Sequence, residues 1–163
     1  MQSVNDIDWK TWSFTEDAVL CFVRKENNVL LIHKKTGLGK GKINAPGGRI
    51  EKGETALVAA VRETKEETHV TPSALEFAAE LQFIFKDGYS LRGFVFFASN
   101  HEGVPMPTPE ADPFWCAVDA IPYDKMWEDD IHWLPRVLAG EKILGRFIFD
   151  EDKMLDMEVI NND

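Results

Sequence analysis

Cysteine is scarce in this chain of 163 residues, which contains only Cys21 and Cys116. Two lone cysteines cannot form the disulfide framework of a small secreted domain, and because both lie within apolar runs we expect buried thiols. The chain also lacks an uninterrupted apolar run of the ~18–20 residues that a membrane-spanning helix needs. Its first residues do not show the basic and then apolar pattern of a signal peptide. We therefore expect a cytoplasmic globular protein with no membrane partner.

Positive charge is also in short supply. The chain carries 18 Lys and Arg residues against 28 Asp and Glu residues, which gives a formal net charge of −10. This balance argues against sequence-independent binding to DNA, RNA or an anionic membrane. A small anionic substrate is compatible with it, provided that metal cations lie between the substrate and the protein's own carboxylates.

The organisation of the chain is that of one domain over residues 1–163, since it shows neither an internal repeat nor a Ser/Gly-rich linker. Apolar spacing predicts helices at 55–68 and from 129 or 130 to 138. Apolar, β-branched and aromatic runs predict strands at 18–24, 29–33, 77–85, 91–98, 114–118, 146–149 and 154–160. Turns at 25–28 and 86–88 are expected to close two hairpins. The pattern indicates an α+β fold with a mixed sheet.

Three carboxylates share one face of the first predicted helix. Glu63, Glu66 and Glu67 are spaced as i, i+3 and i+4, so they project from the same side about one turn apart. Like charges at this spacing repel each other, and a cation between them would relieve the repulsion. Hard oxygen ligands suit Mg²⁺ or Mn²⁺. A solvated acidic face is the alternative that composition alone allows.

A glycine-rich loop that begins with residues 34–48 precedes this helix, and glycines let the backbone approach a ligand closely. The loop and the helix together give a fixed spacing: Gly48, five residues, Glu54, seven residues, Arg62-Glu63, two residues, and Glu66-Glu67. This pattern resembles the signature of the Nudix hydrolases. Two positions depart from it, because Thr64 stands where the family usually has an aliphatic residue and His69 where it usually has glycine. We expect Thr64 to half-bury its methyl group and His69 to adopt a left-handed backbone conformation at the helix end.

The resemblance implies the Nudix fold, a mixed β-sheet sandwiched between α-helices in α/β/α layers. It also implies hydrolysis of a diphosphate linked to another moiety, with Mg²⁺ or Mn²⁺ as cofactor. The implied metal ligands are Glu63 and Glu67, with Glu66 as a further ligand or water-activating base and the Gly47 carbonyl as a backbone ligand. Arg62 would orient these groups, together with Glu54 in a structural role. The implied substrate-binding residues of the loop are Pro46, Gly47, Gly48 and Arg49.

Outside the signature, residues 29–159 are most similar to the MutT-like branch, which hydrolyses oxidised purine nucleoside triphosphates. The matching residues imply that Asn44, Asp129 and Asp130 read the purine edge and that Trp127 stacks on the base. An Asn amide both donates and accepts hydrogen bonds, and two neighbouring carboxylates can share a proton. The branch also implies that Lys34 reaches a phosphate, that Phe85 lines the pocket, and that Glu110 completes the metal shell or serves as base.

Each of these residues also has a structural interpretation. Asp129 and Asp130 could cap the following helix, and Asn44 could be a turn residue. Both Trp127 and Trp133 could belong to the core, as could Phe83 and Phe85, which alternate on one strand. Lys34 could be a solvated strand-end residue. Asp112 competes with Glu110 for the catalytic role, and an exposed loop acid without a role is the third possibility.

Three departures from the MutT-like branch leave the width of the pocket open. Leu38 stands where an aromatic residue is expected, the loop at 87–91 is shorter, and an N-terminal extension of about residues 1–14 has no clear match.

The sequence therefore predicts a monomeric, Mg²⁺-dependent enzyme that converts oxidised purine nucleoside triphosphates to monophosphates and pyrophosphate. The partner is a small nucleotide and not a nucleic acid polymer. The alternatives are another Nudix activity, on a nucleotide sugar, a dinucleoside polyphosphate or a pterin triphosphate, and a non-catalytic Nudix-like ligand sensor.

Overall fold

The computed structural model describes residues 3–162. Within this part of the chain there are nine strands, two α-helices and two short 3₁₀ turns, at Val4–Asp6 and Tyr123–Lys125. In chain order the strands and helices are β1 Glu16–Lys25, β2 Asn28–Lys34, β3 Ile43–Asn44, β4 Gly47–Arg49, α1 Ala56–Thr68, β5 Thr71–Phe85, β6 Ser90–Glu102, β7 Ala111–Ala117, α2 Asp130–Leu138, β8 Ile143–Asp150 and β9 Lys153–Asn161. Neither α-helix of residues 3–162 has the length and apolar character needed to cross a membrane.

The strands form one mixed sheet in the order β3-β2-β1-β6-β5-β8-β9, with β4 paired to β1 and β7 paired to β2. The pairs β1–β6 and β5–β8 are parallel. Both predicted hairpins are confirmed, since β1 pairs antiparallel with β2 and β5 pairs antiparallel with β6. The predicted α+β class with a mixed sheet is thus correct.

The sheet extends beyond the predicted strands in several places. Strands β3 and β4 were not predicted, because they are only two and three residues long and contain Asn and Gly, which are depleted in strands. Strand β5 begins at Thr71, six residues before the predicted start at 77. Its early part contains Pro72 and the positive φ of Ala74, which is 55°. These residues obscure the alternation on which the prediction depended.

The two helices cover opposite faces of the sheet. Ala59 and Ala60 of α1 pack against Cys21 of β1, whereas Trp133 of α2 packs against Phe22, the next residue along the same strand. Successive side chains of a strand point to opposite faces, so the sheet lies between the helices as predicted. Burial raises the pKa of the Cys21 thiol to about 11. The expectation of two buried thiols is wrong for Cys116, which is only partly buried.

Local interactions fix both ends of α1. The hydroxyl of Thr55 caps the start by accepting the N–H of Val58 at 3.2 Å. His69 ends the helix with φ 65° and ψ 11°, the left-handed conformation that was predicted. Thr64 is fully rather than half buried, and its hydroxyl donates to the carbonyl of Ala60 at 2.7 Å.

The N-terminal segment packs on the sheet face opposite Phe83 and Phe85. Val4 and Trp9 form a small buried cluster with Ile84 of β5 and Ile148 of β8. The indole N–H of Trp9 donates to the carbonyl of Val4 at 2.8 Å. This segment therefore adds core to a part of the sheet that α1 does not cover.

Candidate active site

One cavity of about 610 Å³ opens between the glycine-rich loop, strands β1 and β5 and the segment before α2. One end of it is acidic and the other end is aromatic. The acidic end is lined by Glu63, Glu67 and Glu110. The aromatic end is lined by Phe83, Phe85, Tyr89 and Trp127, together with Asn44, Asp129 and Asp130. The sequence-predicted residues of both groups thus meet in one space.

Glu67 is the most buried carboxylate of the acidic end, with 3% of its surface exposed. The backbone N–H of Gly47 donates to its Oε1 atom at 2.7 Å. Loss of hydration raises the pKa of Glu67 to about 7, although the Gly47 hydrogen bond and the charge of Lys34 oppose the shift. The nearby charges of Glu63 and Glu110 raise the pKa further. A cation at this end would therefore favour the ionised form of Glu67.

Arg62 joins the loop to the helix. Its Nε and Nη2 atoms donate to the two carboxylate oxygens of Glu54 at 2.6 and 2.8 Å, and Nη2 also donates to the carbonyl of Arg49 at 3.1 Å. The Nη1 atom donates to Oε1 of Glu63 at 2.7 Å. The bonds from Arg62 to Glu54, together with the N–H of Glu51, lower the pKa of Glu54 to about 2. Arg62 is thus the residue that orients Glu63.

Glu66 takes a different position from the other two carboxylates of the helix. It is exposed, it reaches Nη1 of Arg62 at 3.3 Å, and it is not part of the cavity wall among residues 3–162. The predicted common acidic face of α1 therefore divides, with Glu63 and Glu67 towards the cavity and Glu66 towards solvent beside Arg62.

Gly48 allows the loop to approach the helix closely. A methyl group at this position would overlap the carboxylate of Glu63. Pro46, which the sequence assigned to the substrate, is not in the cavity wall; its carbonyl accepts the N–H of Cys21 at 2.9 Å. Pro46 therefore anchors the loop to β1. Arg49 does line the cavity and pairs with Glu16.

The structure distinguishes Glu110, which precedes β7, from Asp112, which lies at the start of this strand. Glu110 is exposed and lines the cavity, and its carbonyl accepts the N–H of Lys35 at 2.9 Å. Asp112 instead forms an ion pair of 2.6 Å with Nζ of Lys35. Of these two competing residues, only Glu110 lines the cavity in the described chain.

Two buried carboxylates form one wall of the aromatic end. Asp129 and Asp130 are only 2% and 4% exposed. The indole N–H of Trp133 donates to Oδ2 of Asp129 at 2.8 Å, while Oδ1 of Asp129 and Oδ2 of Asp130 have no hydrogen-bond partner among residues 3–162. Asp129 precedes α2 without a side-chain capping bond. Burial raises the pKa of both carboxyls, and the neighbouring charge of Asp129 raises that of Asp130 further.

Asn44 and Trp127 face the same space. Oδ1 of Asn44 accepts the N–H of Ala45 at 2.8 Å, which directs the amide nitrogen away from that bond. The Trp127 ring meets Phe85 and Phe149 edge to face, with centroid distances of 6.2 and 5.6 Å. Trp133, by contrast, is fully buried in the core.

Several cavity residues were missed by sequence reasoning. Leu20, Ile32, Leu81, Tyr89 and Leu91 line the cavity, yet apolar residues on strands cannot be distinguished from core residues by pattern alone. The alternation of Leu81 with Phe83 and Phe85 was the available signal. Leu38, noted as a departure from the expected aromatic residue, also lines the cavity.

Comparison with known proteins assigns the family. A family model described as NUDIX domain matches residues 15–137. The chain is 40% identical over 131 residues to the oxidized purine nucleoside triphosphate hydrolase of Danio rerio, covering 80% of this chain and 84% of that protein. It is 35% identical over 138 residues to the Mus musculus protein of the same name, covering 83% and 88%. The chain belongs to the Nudix family.

A solved structure agrees with this assignment. The MutT protein from Bacillus halodurans superposes with a TM-score of 0.78 and 27% identity, covering 88% of this chain and 97% of that one. The chain has the Nudix fold and is a Nudix hydrolase. Its N-terminal segment before residue 15 lies outside the family match.

Nudix hydrolases use divalent metal ions, and the acidic end of this cavity has suitable donors. Glu63, Glu67 and Glu110 supply carboxylate oxygens, the hard ligands that such ions prefer. In residues 3–162, no three acidic, His or Cys side chains lie close enough together to form a ready metal cluster. Arg62 donates to one carboxylate oxygen of Glu63, and the N–H of Gly47 donates to one carboxylate oxygen of Glu67. The donor chemistry fits a divalent cation, whose charge would offset the repulsion between these carboxylates.

Proposed function

We propose that this Nudix hydrolase converts oxidised purine nucleoside triphosphates to nucleoside monophosphates and pyrophosphate, with Mg²⁺ as the preferred ion. The observation that carries the proposal is the cavity itself, which joins a carboxylate-rich end to an aromatic end with two buried aspartates. The names of the Danio rerio and Mus musculus relatives support the same substrate class. All the residues proposed for the site belong to one chain, so the proposed reaction does not need a second subunit and we propose a monomer.

At the acidic end, Glu63 and Glu67 are the proposed principal metal ligands, together with the Gly47 carbonyl. Bound divalent ions neutralise phosphate charge and help to activate water for in-line attack. Arg62 positions Glu63 through their 2.7 Å hydrogen bond. Glu110, on the cavity wall, and Glu66, at the solvent edge, are the candidates for a further ligand or the base.

The phosphates would lie between the acidic end and the glycine-rich loop. Lys34 lines this part of the cavity and lowers the pKa of Glu67 through its charge, so it is close enough to act on an anion there. Gly48 and Arg49 line the cavity beside it. We assign these three residues to phosphate binding and Pro46 to holding the loop in place.

At the aromatic end, Asp129 and Asp130 are proposed to read the purine edge. Each has a buried oxygen without a partner in the described chain, and an unsatisfied buried oxygen is unfavourable unless a ligand or proton satisfies it. With both pKa values raised by burial, the pair can hold one proton and present both a donor and an acceptor. Asn44 adds an amide to this edge, while Trp127 and Phe85 supply flat apolar surface for the base.

The test is hydrolysis of a panel of oxidised, alkylated and unmodified nucleoside triphosphates by the purified protein with Mg²⁺. We expect the highest kcat/KM on oxidised purines, with pyrophosphate and the monophosphate as products. Release of orthophosphate and a nucleoside diphosphate would contradict the proposed bond cleavage. Preferential hydrolysis of a nucleotide sugar or a dinucleoside polyphosphate would contradict the proposed substrate class.

A further inference from the structure

Lys42 contacts Trp127, the residue proposed to stack on the base, from outside the cavity. Its Nζ atom lies 5.2 Å from the ring centroid of Trp127, a distance typical of a cation–π contact. Trp127 is part of the cavity wall, whereas Lys42 is not among the wall residues of the described chain. The ammonium group therefore lies against the indole without occupying the substrate space.

An ion pair holds Lys42 in this position. Its Nζ atom lies 3.5 Å from Oδ2 of Asp152, in the turn between β8 and β9. The lysine side chain is 25% exposed and the Asp152 side chain is 68% exposed, so water screens the pair from the aspartate side. Lys42 thus links three parts of the fold: the glycine-rich loop, the segment that carries Trp127, and the β8–β9 turn.

The loop backbone brings Lys42 to the indole. The N–H of Lys34 donates to the carbonyl of Lys42 at 3.0 Å, and the N–H of Gly41 donates to the carbonyl of Lys34 at 2.8 Å. Gly39 has a φ of 84°, and a methyl group there would lie 2.9 Å from the indole nitrogen of Trp127. The loop is therefore folded closely around one side of the Trp127 ring.

From this geometry we propose that Lys42 is a positioning residue for base recognition, which holds the Trp127 indole in the orientation that stacks on the purine. The proposal rests on the proposed function, since it assumes that a base enters the aromatic end. Asp152 acts through Lys42 by fixing its ammonium group. Lys42 does not line the cavity in which the phosphates are proposed to lie, although its charge also lowers the pKa of Asp130.

The charge and the chain length of Lys42 can be separated by substitution. Lys42→Met keeps the length of the side chain and removes the cation, whereas Lys42→Arg keeps a cation that can stack on the indole and pair with Asp152. Lys40→Met is the matched control, because it removes the same charge from an exposed residue of the same loop. Asp152→Asn removes the ion pair and keeps the lysine.

The experiment measures binding of the monophosphate of 8-oxo-deoxyguanosine and of pyrophosphate by calorimetry, and hydrolysis of the corresponding triphosphate. Lys42→Met should weaken monophosphate binding and raise KM by about threefold to tenfold, with kcat nearly unchanged. Lys42→Arg and Lys40→Met should stay within about twofold of the wild type, and Asp152→Asn should fall between. Pyrophosphate has no base, so its binding should not respond to any of the four substitutions.

Equal effects of Lys42→Met and Lys40→Met on monophosphate binding would overturn the proposal. So would a loss of monophosphate binding in Lys42→Arg as large as that in Lys42→Met, or an equal loss of pyrophosphate binding in Lys42→Met.

Failure of the proposed function has a different signature: the wild type would not hydrolyse any oxidised purine triphosphate. Binding of unmodified purine monophosphates would then still measure the effect of Lys42. If the wild type bound no purine monophosphate at all, both proposals would be wrong.

Discussion

The backbone N–H of Gly47 donates a 2.7 Å hydrogen bond to Oε1 of Glu67, so the short strand β4 and helix α1 are joined by the same carboxylate that is proposed to bind metal. The bond satisfies one oxygen of a group that is only 3% exposed. A glutamine at this position can still accept the Gly47 N–H through its amide oxygen, while it cannot supply an anionic ligand.

We therefore expect Glu67→Gln to lower kcat by at least about 100-fold without loss of the fold. Without metal, the variant should be more stable than the wild type above pH 7. The folded pKa of Glu67 is about 7 and its ordinary value is 4.5, so the folded state keeps a proton that the unfolded state releases. The free energy of unfolding of the wild type then falls by as much as about 3 kcal/mol as the pH rises from 4.5 to about 7.

The measurement is the melting temperature of both proteins in chelator from pH 5 to pH 8. Glu66→Gln is the control, since it removes the same charge from an exposed residue of the same helix. Parallel profiles for the wild type and Glu67→Gln would show that burial does not perturb Glu67. Near-normal turnover of Glu67→Gln at saturating Mg²⁺ would contradict its role as a metal ligand.

A second prediction concerns the effect of metal on stability. An ion that binds only the folded state stabilises it by about 2.7 kcal/mol at 100 times its dissociation constant. We expect Mg²⁺ to raise the melting temperature of the wild type, and to do so more at pH 8 than at pH 5, because Glu67 must be ionised to bind. Glu67→Gln should respond much less. An equal response of the two proteins would place the ion elsewhere.

The extent to which the sequence predicted the site differs between its two ends. That Glu63 and Glu67 lie close together was predictable because residues on one helix have a fixed geometry, whereas their selection over Glu66 came from the resemblance to the Nudix signature. The position of Glu66 was not predictable, because its direction depends on the contact with Arg62. The resemblance already favoured Glu110 over Asp112, and in the structure Asp112 pairs with Lys35 whereas Glu110 lines the cavity.

The fold shows the same division between local and distant contacts. Both helices and both hairpins were predictable from periodicity and turns. Strands β3 and β4 were not, because their residues pair only with strands β2 and β1 and have no pattern of their own. Tyr89 lies in the cavity beside Phe85, and Pro46 lies outside it. These positions depend on pairing between distant segments.

A third prediction tests the end of α1. His69 has φ 65°, a conformation that glycine adopts freely and β-branched residues avoid. His69→Val should lower the free energy of unfolding by about 1–2 kcal/mol, whereas His69→Gly should equal or slightly exceed the wild type. Chemical denaturation measures this order, and kcat/KM should stay unchanged in both variants. If His69→Val were as stable as His69→Gly, the left-handed backbone conformation assigned to residue 69 would be contradicted.

The last prediction distinguishes base reading by Asp129 and Asp130 from a structural role. Replacing either residue by Asn fixes its donors and acceptors, so kcat/KM should change differently for oxidised guanine and oxidised adenine triphosphates. Each mispaired contact is worth ~1–3 kcal/mol, or about tenfold to a hundredfold. Because Asp129 makes no side-chain capping bond, and Asn can still accept the Trp133 indole N–H, the melting temperature should change little. A uniform kinetic loss that follows a loss of stability would instead assign both aspartates to structure.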